Sequence, residues 1–456
     1  MYKLMIIIYL KLFYYSIYVI ILMCYERKSI MELKNIKGTY DYLPKEQILR
    51  NEIINKLSNV FERYGYLPIE TSILCYYDLL ASKYAGGAEI LKEVYKLEDQ
   101  GNRKLGLRYD LTVPFAKVIS MNKDISLPFK RYEIGKVYRD GPVKLGRNRE
   151  FYQCDVDVCG IPGRMIEVEF MLMATTGYKE LGIDTVIEWN NRKLLSGLIS
   201  ECGILESDVS RVILSVDKLA KIGESGVREE IKELNINNDS LDKLFSYFKL
   251  DIKELSLNFE NTNNSLLKEG LEEVLELNNY LEKLNLTNCV FTPYLARGLE
   301  IYTGVIWEVF DKEKRLTSSI GAGGRYDKII TNFINDGNSY PAIGMTFGLA
   351  PIYEILNMNK EKEVSLYDLL IIPMNTNIET LSLAEKLRSN NIKVLIEMKK
   401  KLNKSLDWAN RNNIPYVIVL GENEIKENKI NIKNMKTGEN ILVNLDNIDE
   451  IIRVIK

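Results

Sequence analysis

Four stretches of this chain carry arginine, carboxylate and aromatic side chains where an ordinary strand would alternate apolar and polar residues. They are Leu107-Arg108-Tyr109-Asp110-Leu111-Thr112; Tyr138-Arg139-Asp140 with Gly146 to Asp157; Ala296 to Gly304; and Gly321 to Asp327. Planar guanidinium groups bind phosphate oxygens two at a time, so the arginines of these stretches read as a polyanion site. Alternation along Glu150–Asp157 puts Phe151, Gln153, Asp155 and Asp157 on one sheet face. A carboxylate beside a tyrosine hydroxyl could grip a small cationic or hydrogen-bonding molecule. The glycines flanking Arg325 and Tyr326 allow close backbone approach. Taken singly, an Arg-Tyr-Asp triplet is an ordinary surface ion cluster and a Gly-Ala-Gly-Gly run an ordinary loop. The functional reading rests on the four occurring together.

Composition narrows the chemistry. The 456 residues include no histidine, which excludes Ser-His and Cys-His nucleophiles, histidine bases and histidine-ligated metals. Cys24, Cys75, Cys154, Cys159, Cys202 and Cys289 form no C-x-x-C pair. They read as reduced thiols, and no metal site is expected from protein His or Cys. Hydrophobic residues at 46% and charged residues at 27% exclude a disordered, collagen-like or polytopic membrane chain. Net charge is −2, so any nucleic-acid surface must be local.

These segments need a scaffold. Pro44 to Tyr64 repeats apolar residues at helical spacing and stops at Gly65. Short strands are expected at Leu67–Glu70, Val94–Leu97 and Leu105–Leu111. Arg131–Tyr138 and Glu150–Val158 should form two strands joined by a charged turn. A helix over Glu169–Leu181 precedes a strand at Thr185–Trp189. Residues 191–290 read as an inserted helical unit. Strands and glycine-rich turns return over Leu299–Asp327, and a helix begins near Leu349. Residues 357–365 are a polar linker. From 366 to 456 strands and helices alternate, which predicts a small α/β domain with a largely parallel sheet. Residues 1–30 form a hydrophobic leader. Leu4–Met23 is long enough to anchor in a membrane. The preferred reading is start-site overrun, because the segment uses the residue types of AT-rich codons and Met31 opens ordinary globular composition.

From about Met31 to Lys456 the chain resembles the class II histidine–tRNA ligases. Gly38-Thr39-Tyr40-Asp41-Tyr42-Leu43-Pro44 resembles the family's N-terminal signature, and Pro44–Glu70 resembles motif 1, a dimer element. Arg139, Arg147 and Phe151 resemble motif 2. Arg297-Gly298-Leu299-Glu300-Ile301-Tyr302 and Gly323-Gly324-Arg325-Tyr326-Asp327 resemble the two histidine-specific motifs. The resemblance implies an α+β catalytic core, an antiparallel sheet with helices over 31–190 and 291–356. It also implies a helical insertion at 191–290 and an anticodon-binding α/β domain at 366–456. It implies a cytoplasmic homodimer that uses ATP and Mg2+ to attach L-histidine to tRNA(His) through a histidyl-adenylate. No membrane is involved unless residues 1–30 are translated. Arg139 and Arg297 would hold the α-phosphate as catalytic residues. Arg147, Phe151 and Arg325 would bind the rest of ATP. Asp110, Thr112, Gln153, Asp157, Arg297, Tyr302 and Tyr326 would bind histidine.

Two departures from the family pattern stand out. Glu300-Ile301-Tyr302 replaces Asp-Tyr-Tyr. After Gly344–Leu349, Ala350-Pro351 replaces the acid-Arg pair that clamps ATP in motif 3. The second leaves open a non-catalytic paralog that binds histidine or tRNA as a regulatory subunit. Asp157 and Tyr302 favour a cationic or hydrogen-bonding side chain without specifying imidazole. The absence of histidine fits either drift in an AT-rich genome or selection for a second ligase copy, translated when charged histidine tRNA is scarce.

Overall fold

The computed structural model describes residues 14–15, 33–82, 91–143, 146–234, 236–297, 301–358, 365–397 and 401–456. The expected leader therefore lies outside the described residues except for Tyr14 and Tyr15, and most of the expected linker lies outside them too. Among the described residues, no helix is long and apolar enough to cross a membrane. The chain falls into two units, Met1–Asp41 and Tyr42–Lys456. In the first, Asn35 donates to Asp41 at 3.1 Å and the Thr39 hydroxyl to the Ile36 carbonyl at 2.8 Å.

The second unit opens with the helix Pro44–Arg63. Pro44 starts it where no backbone donor is needed, and the Glu46 carboxylate accepts from Leu43 N at 2.9 Å. Ile53, Leu57, Val60 and Phe61 form its buried stripe. Gly65, at φ +80°, turns the chain out of the helix.

Eight strands form the main sheet: β1 (Leu67–Pro68), β5 (Phe129–Tyr138), β6 (Glu150–Cys159), β7 (Thr185–Asn191), β8 (Cys289–Phe291), β9 (Val305–Asp311), β10 (Gly321–Arg325) and β11 (Ala342–Gly348). Their order is β1-β5-β6-β11-β10-β9-β7-β8. Its edge pairs β1–β5 and β7–β8 are parallel and the rest antiparallel, so the expected antiparallel sheet is a mixed one. One face packs on the Pro44–Arg63 and Met165–Glu180 helices. Phe347 lies 5.3 Å from Phe61 and 5.0 Å from Tyr178 between ring centroids. The other face is left for polar residues.

A second, three-stranded sheet orders as β2-β4-β3, from β2 (Leu74–Tyr76), β3 (Lys96–Glu98) and β4 (Lys104–Leu107). The expected strand over Leu105–Leu111 ends at Leu107, because Arg108 turns inward. Its guanidinium donates to Glu133 at 2.7 Å and to the Thr71 carbonyl at 2.8 Å, with both charged side chains buried.

Between β7 and β8 run the helices Arg192–Glu201, Glu206–Val216, Leu219–Ile231, Asn238–Tyr247, Ile252–Asn258 and Ser265–Lys283. Asn191, Asn237, Asp251 and Asn264 cap four of them, each side chain accepting from first-turn amides. Their buried Leu194, Leu198, Val212, Leu244, Leu267 and Leu277 join the same hydrophobic core as Phe61, Trp307 and Phe347. The C-terminal segment forms a five-stranded sheet, β13-β12-β14-β15-β16, from β12 (Leu369–Met374), β13 (Val394–Ile396), β14 (Tyr416–Gly421), β15 (Lys429–Asn434) and β16 (Asn440–Asn444). β12 pairs in parallel with β13 and β14, and β15–β16 is the expected hairpin. This domain has its own apolar clusters around Ile371, Leu387, Ile418 and Ile432, and around Leu370 and Ala409.

The Arg108–Glu133 pair yields a stability test. Arg108→Met strands a buried carboxylate and is expected to cost about 3–5 kcal/mol, whereas Arg108→Met with Glu133→Leu should recover most of that. Denaturant unfolding of the two variants beside the parent measures both.

Candidate active site

Residues facing each other across strands share a sheet face, so the register assembles the polar surface in rows. One row runs Arg131, Asp157, Gly344, Gly324. The next runs Glu133, Asp155, Thr346, Ala322, Glu308. A third pairs Gly135, Gln153 and Gly348, and beyond it Val137 faces Phe151. The glycines make the floor low. A Cβ on Gly344 would overlap the Asp157 carboxylate, and one on Gly324 would lie 2.7 Å from the Tyr302 ring. Both side chains lie across backbone that only glycine leaves bare.

Asp157 is held from two sides on this floor. The Tyr326 hydroxyl donates to its Oδ1, and Arg131 meets its Oδ2 at 2.7 Å. Arg131 is wholly buried, also donates to the Leu111 carbonyl at 2.9 Å, and lies 4.8 Å from the Phe115 ring. It thereby ties the start of the Thr112–Met121 helix to the sheet. Asp110 sits before that helix, buried, and accepts from Val113 N at 3.1 Å. Thr112, half-buried, is the first helical residue. Burial, then the neighbouring Asp157, push the Asp155 carboxyl up to about 8 against the pull of Arg131. Burial and Asp157 hold Tyr326 well above the usual phenol range, so it remains a donor.

At the far end of β6 the chemistry changes to cations and rings. The Arg139 guanidinium lies 4.1 Å from the Tyr109 ring and 5.0 Å from the Phe151 ring, and its Nε donates to the Tyr109 carbonyl at 3.3 Å. Arg147 is exposed and pairs with Glu93 at 3.0 Å. Across the sheet Arg297 meets Glu308 at 3.3 Å and lies 5.5 Å from the Tyr302 ring. Gly298, Leu299 and Glu300 of this motif lie outside the described residues.

Asp110, Thr112, Gln153, Asp157, Tyr302, Tyr326, Arg139, Phe151 and Arg297 are thus arranged on or around one sheet face. Arg325 is not. It points to the other face, where Nε donates to Glu167 at 2.7 Å and NH2 to the Gly163 carbonyl at 2.8 Å. NH1 faces Asp327 at 3.3 Å, and the residue is 2% exposed. The expectation that Arg325 touches ATP is corrected on this geometry: its donors are spent inside the protein. Arg131 was not among the expected site residues. Its signal was available in the hairpin register, which sets it opposite Asp157.

An eight-stranded mixed sheet with this polar face, an insertion of helices and a separate C-terminal α/β domain define a class II aminoacyl-tRNA ligase. Residues 38–352 match the family model described as histidyl-tRNA synthetase, and residues 368–455 match that described as anticodon binding domain. The chain belongs to the histidyl-tRNA synthetase family. It is 47% identical to Histidine--tRNA ligase 1 of Bacillus cereus over 92% of this chain and 99% of that one. It is 45% identical to Histidine--tRNA ligase 2 of Shouchella clausii over 89% and 97%. The crystal structure of histidyl-tRNA synthetase from Nostoc sp. PCC 7120 matches with a TM-score of 0.80 at 26% identity, covering 93% of this chain and 100% of that one.

The raised Asp155 carboxyl makes stability pH-dependent. Its unfolded value is about 3.9, so the folded chain binds the extra proton between roughly pH 4 and 8. That contribution is complete below about pH 4 and is lost as pH rises through 8. Asp155→Asn, which cannot ionise, is expected to gain in melting temperature relative to the parent as pH is raised from 5 to 8.5. A constant difference across that range would contradict the assignment.

Proposed function

We propose that this chain is an active histidine–tRNA ligase. One observation carries the reading: an acidic, tyrosine-capped recess at one end of β6 lies in line with the Arg139–Phe151 cation–ring pair at the other end. The first suits an amino acid bearing a polar or cationic side chain, the second a nucleotide.

In this reading the substrate lies along β6. Asp110, Thr112 and Gln153 hold its ammonium and carboxylate, and Asp157, Tyr302 and Tyr326 line the ring pocket. Phe151 stacks on adenine. Arg139 and Arg297 take the α-phosphate from opposite sides, Arg297 exchanging Glu308 for it. One carboxylate oxygen of histidine attacks the α-phosphorus and pyrophosphate leaves. The nucleophile is already ionised, so no protein base is required, and a chain without histidine is adequate. Positioning and charge neutralisation supply the acceleration. The adenylate then passes its histidyl group to the 3′ end of tRNA(His), whose anticodon the C-terminal domain reads. Arg147 leaves Glu93 for the phosphate tail. Mg2+ carried on the nucleotide's phosphates would supply further charge neutralisation there.

A homodimer through the Pro44–Arg63 helix and β1, in the cytoplasm, completes the proposal. The regulatory-subunit reading is set aside because the chain carries the domain matched at 368–455 and is 45–48% identical to proteins named as ligases.

Two experiments test this. Arg297→Ala is expected to lower histidine-dependent exchange of pyrophosphate into ATP by roughly a hundred-fold or more, with circular dichroism unchanged. A folded variant of full activity would refute the phosphate role. The motif 3 departure gives the second test. Pro351 packs beside Gly348, where a Cβ would lie 2.6 Å from its ring, and it offers no donor. Ala350→Glu with Pro351→Arg should lower the KM for ATP, read in the same assay.

A further inference from the structure

We propose that Asp155 is a second side chain reading the histidine ring, hydrogen-bonded to the ring nitrogen nearer Cβ, while Asp157 and Tyr326 read the far nitrogen. This rests on the ligase reading above and adds a specificity-determining residue to it.

The argument is one of available hydrogen-bonding groups. Asp157 already carries two partners, Tyr326 on Oδ1 and the Arg131 ion pair on Oδ2, and its remaining lone pairs serve one ring nitrogen. Asp155 is 4% exposed, and its Oδ1 has no hydrogen-bond partner among the described residues. A buried carboxyl oxygen without a partner is costly, so its retention needs a reason. The Gln153 Oε1 is also buried and without a partner. Residues two apart on a strand are about 6.7 Å apart, so Gln153, Asp155 and Asp157 form a ladder of acceptors. With the substrate carboxylate at the Gln153 end, near Arg139, its side chain runs over Asp155 toward Asp157. The nitrogen nearer Cβ then falls above the middle rung.

The groups facing Asp155 favour a partner that shares a proton. Glu133 stands opposite it on β5, and Thr346 on β11 offers a side-chain hydrogen bond that favours its charged form. Asp157 and Asp110 repel its negative charge and Arg131 attracts it. Asp155 also faces Tyr302 electrostatically. Its carboxyl is thereby held in reach of the neutral form at working pH. Acid and ring can hold one proton between them in either arrangement: the carboxylic acid donates to an unprotonated ring nitrogen, or the carboxylate accepts from a protonated one. No other proton enters or leaves.

The test is calorimetric binding of L-histidine and its two N-methyl isomers to the full chain, the parent beside Asp155→Ala and Asp155→Ser. The parent should bind histidine and reject the isomer methylated at the nitrogen nearer Cβ. Each variant should bind histidine about ten- to a hundred-fold more weakly and take that isomer to within a few-fold of histidine. The isomer methylated at the far nitrogen should stay excluded. Serine keeps a polar group and gives the same reading should alanine fail to fold. Histidine affinity unchanged in both variants overturns the inference, as does an equal loss for histidine and both isomers. A parent that binds no histidine and exchanges no pyrophosphate instead overturns the ligase reading on which the inference rests.

Discussion

The polar face of the main sheet is organised around one buried ion pair, Arg131 with Asp157. Asp155, Asp157 and Glu133 are all buried within that face, and Arg131 is the guanidinium that faces all three. Glu133 also pairs with Arg108, Asp155 is left in reach of its neutral form, and Asp157 is the direct partner of Arg131. The same guanidinium reaches the Leu111 carbonyl and lies over Phe115, so it also fixes where the Thr112–Met121 helix begins. Asp110 and Thr112 take their positions from that point. Arg131 thus holds Asp157 and sets one wall, while Arg108 holds Glu133. Tyr326 then closes over Asp157 as a neutral donor, adding orientation without adding charge.

The two ends of β6 differ in build. At one end, buried charge and glycine backbone fix a recess with little room for adjustment. At the other, Arg139 rests between two rings and Arg147 is exposed against Glu93, contacts that a phosphate can displace at low cost. Pro351 packs beside Gly348, opposite Gln153, so this departure from the family pattern lies away from the Asp157 end of the strand.

Much of this was legible before any coordinates. The Pro44–Arg63 helix, the β5–β6 pair and the strand-helix alternation of the C-terminal domain announce themselves by period and by turn residues. Alternation alone correctly put Phe151, Gln153, Asp155 and Asp157 on one face. What escaped depends on contacts distant in sequence. Arg108 breaks the expected strand because its partner Glu133 lies twenty-five residues away. Arg325 looked like a ligand because it sits among glycines, yet strand parity turns it toward Glu167 on a helix far upstream. Arg131 looked like one more strand arginine until the register set it opposite an aspartate. The short helix Glu422–Glu427 was also missed, since five polar residues and a single isoleucine after a strand carry no period.

The helices between β7 and β8 share one apolar core with the sheet that brackets them, whereas the C-terminal domain keeps its clusters to itself. The two appendages therefore have different freedom to change over time. A segment whose leucines interlock with Phe61 and Phe347 can be altered only in step with its neighbours, and so it records the history of the sheet. A domain that completes its own interior can be inherited from elsewhere, shortened or replaced, and the rest of the chain keeps its packing. Lineages descended from such a molecule should differ most abruptly at its C-terminal end and drift gradually within the helices.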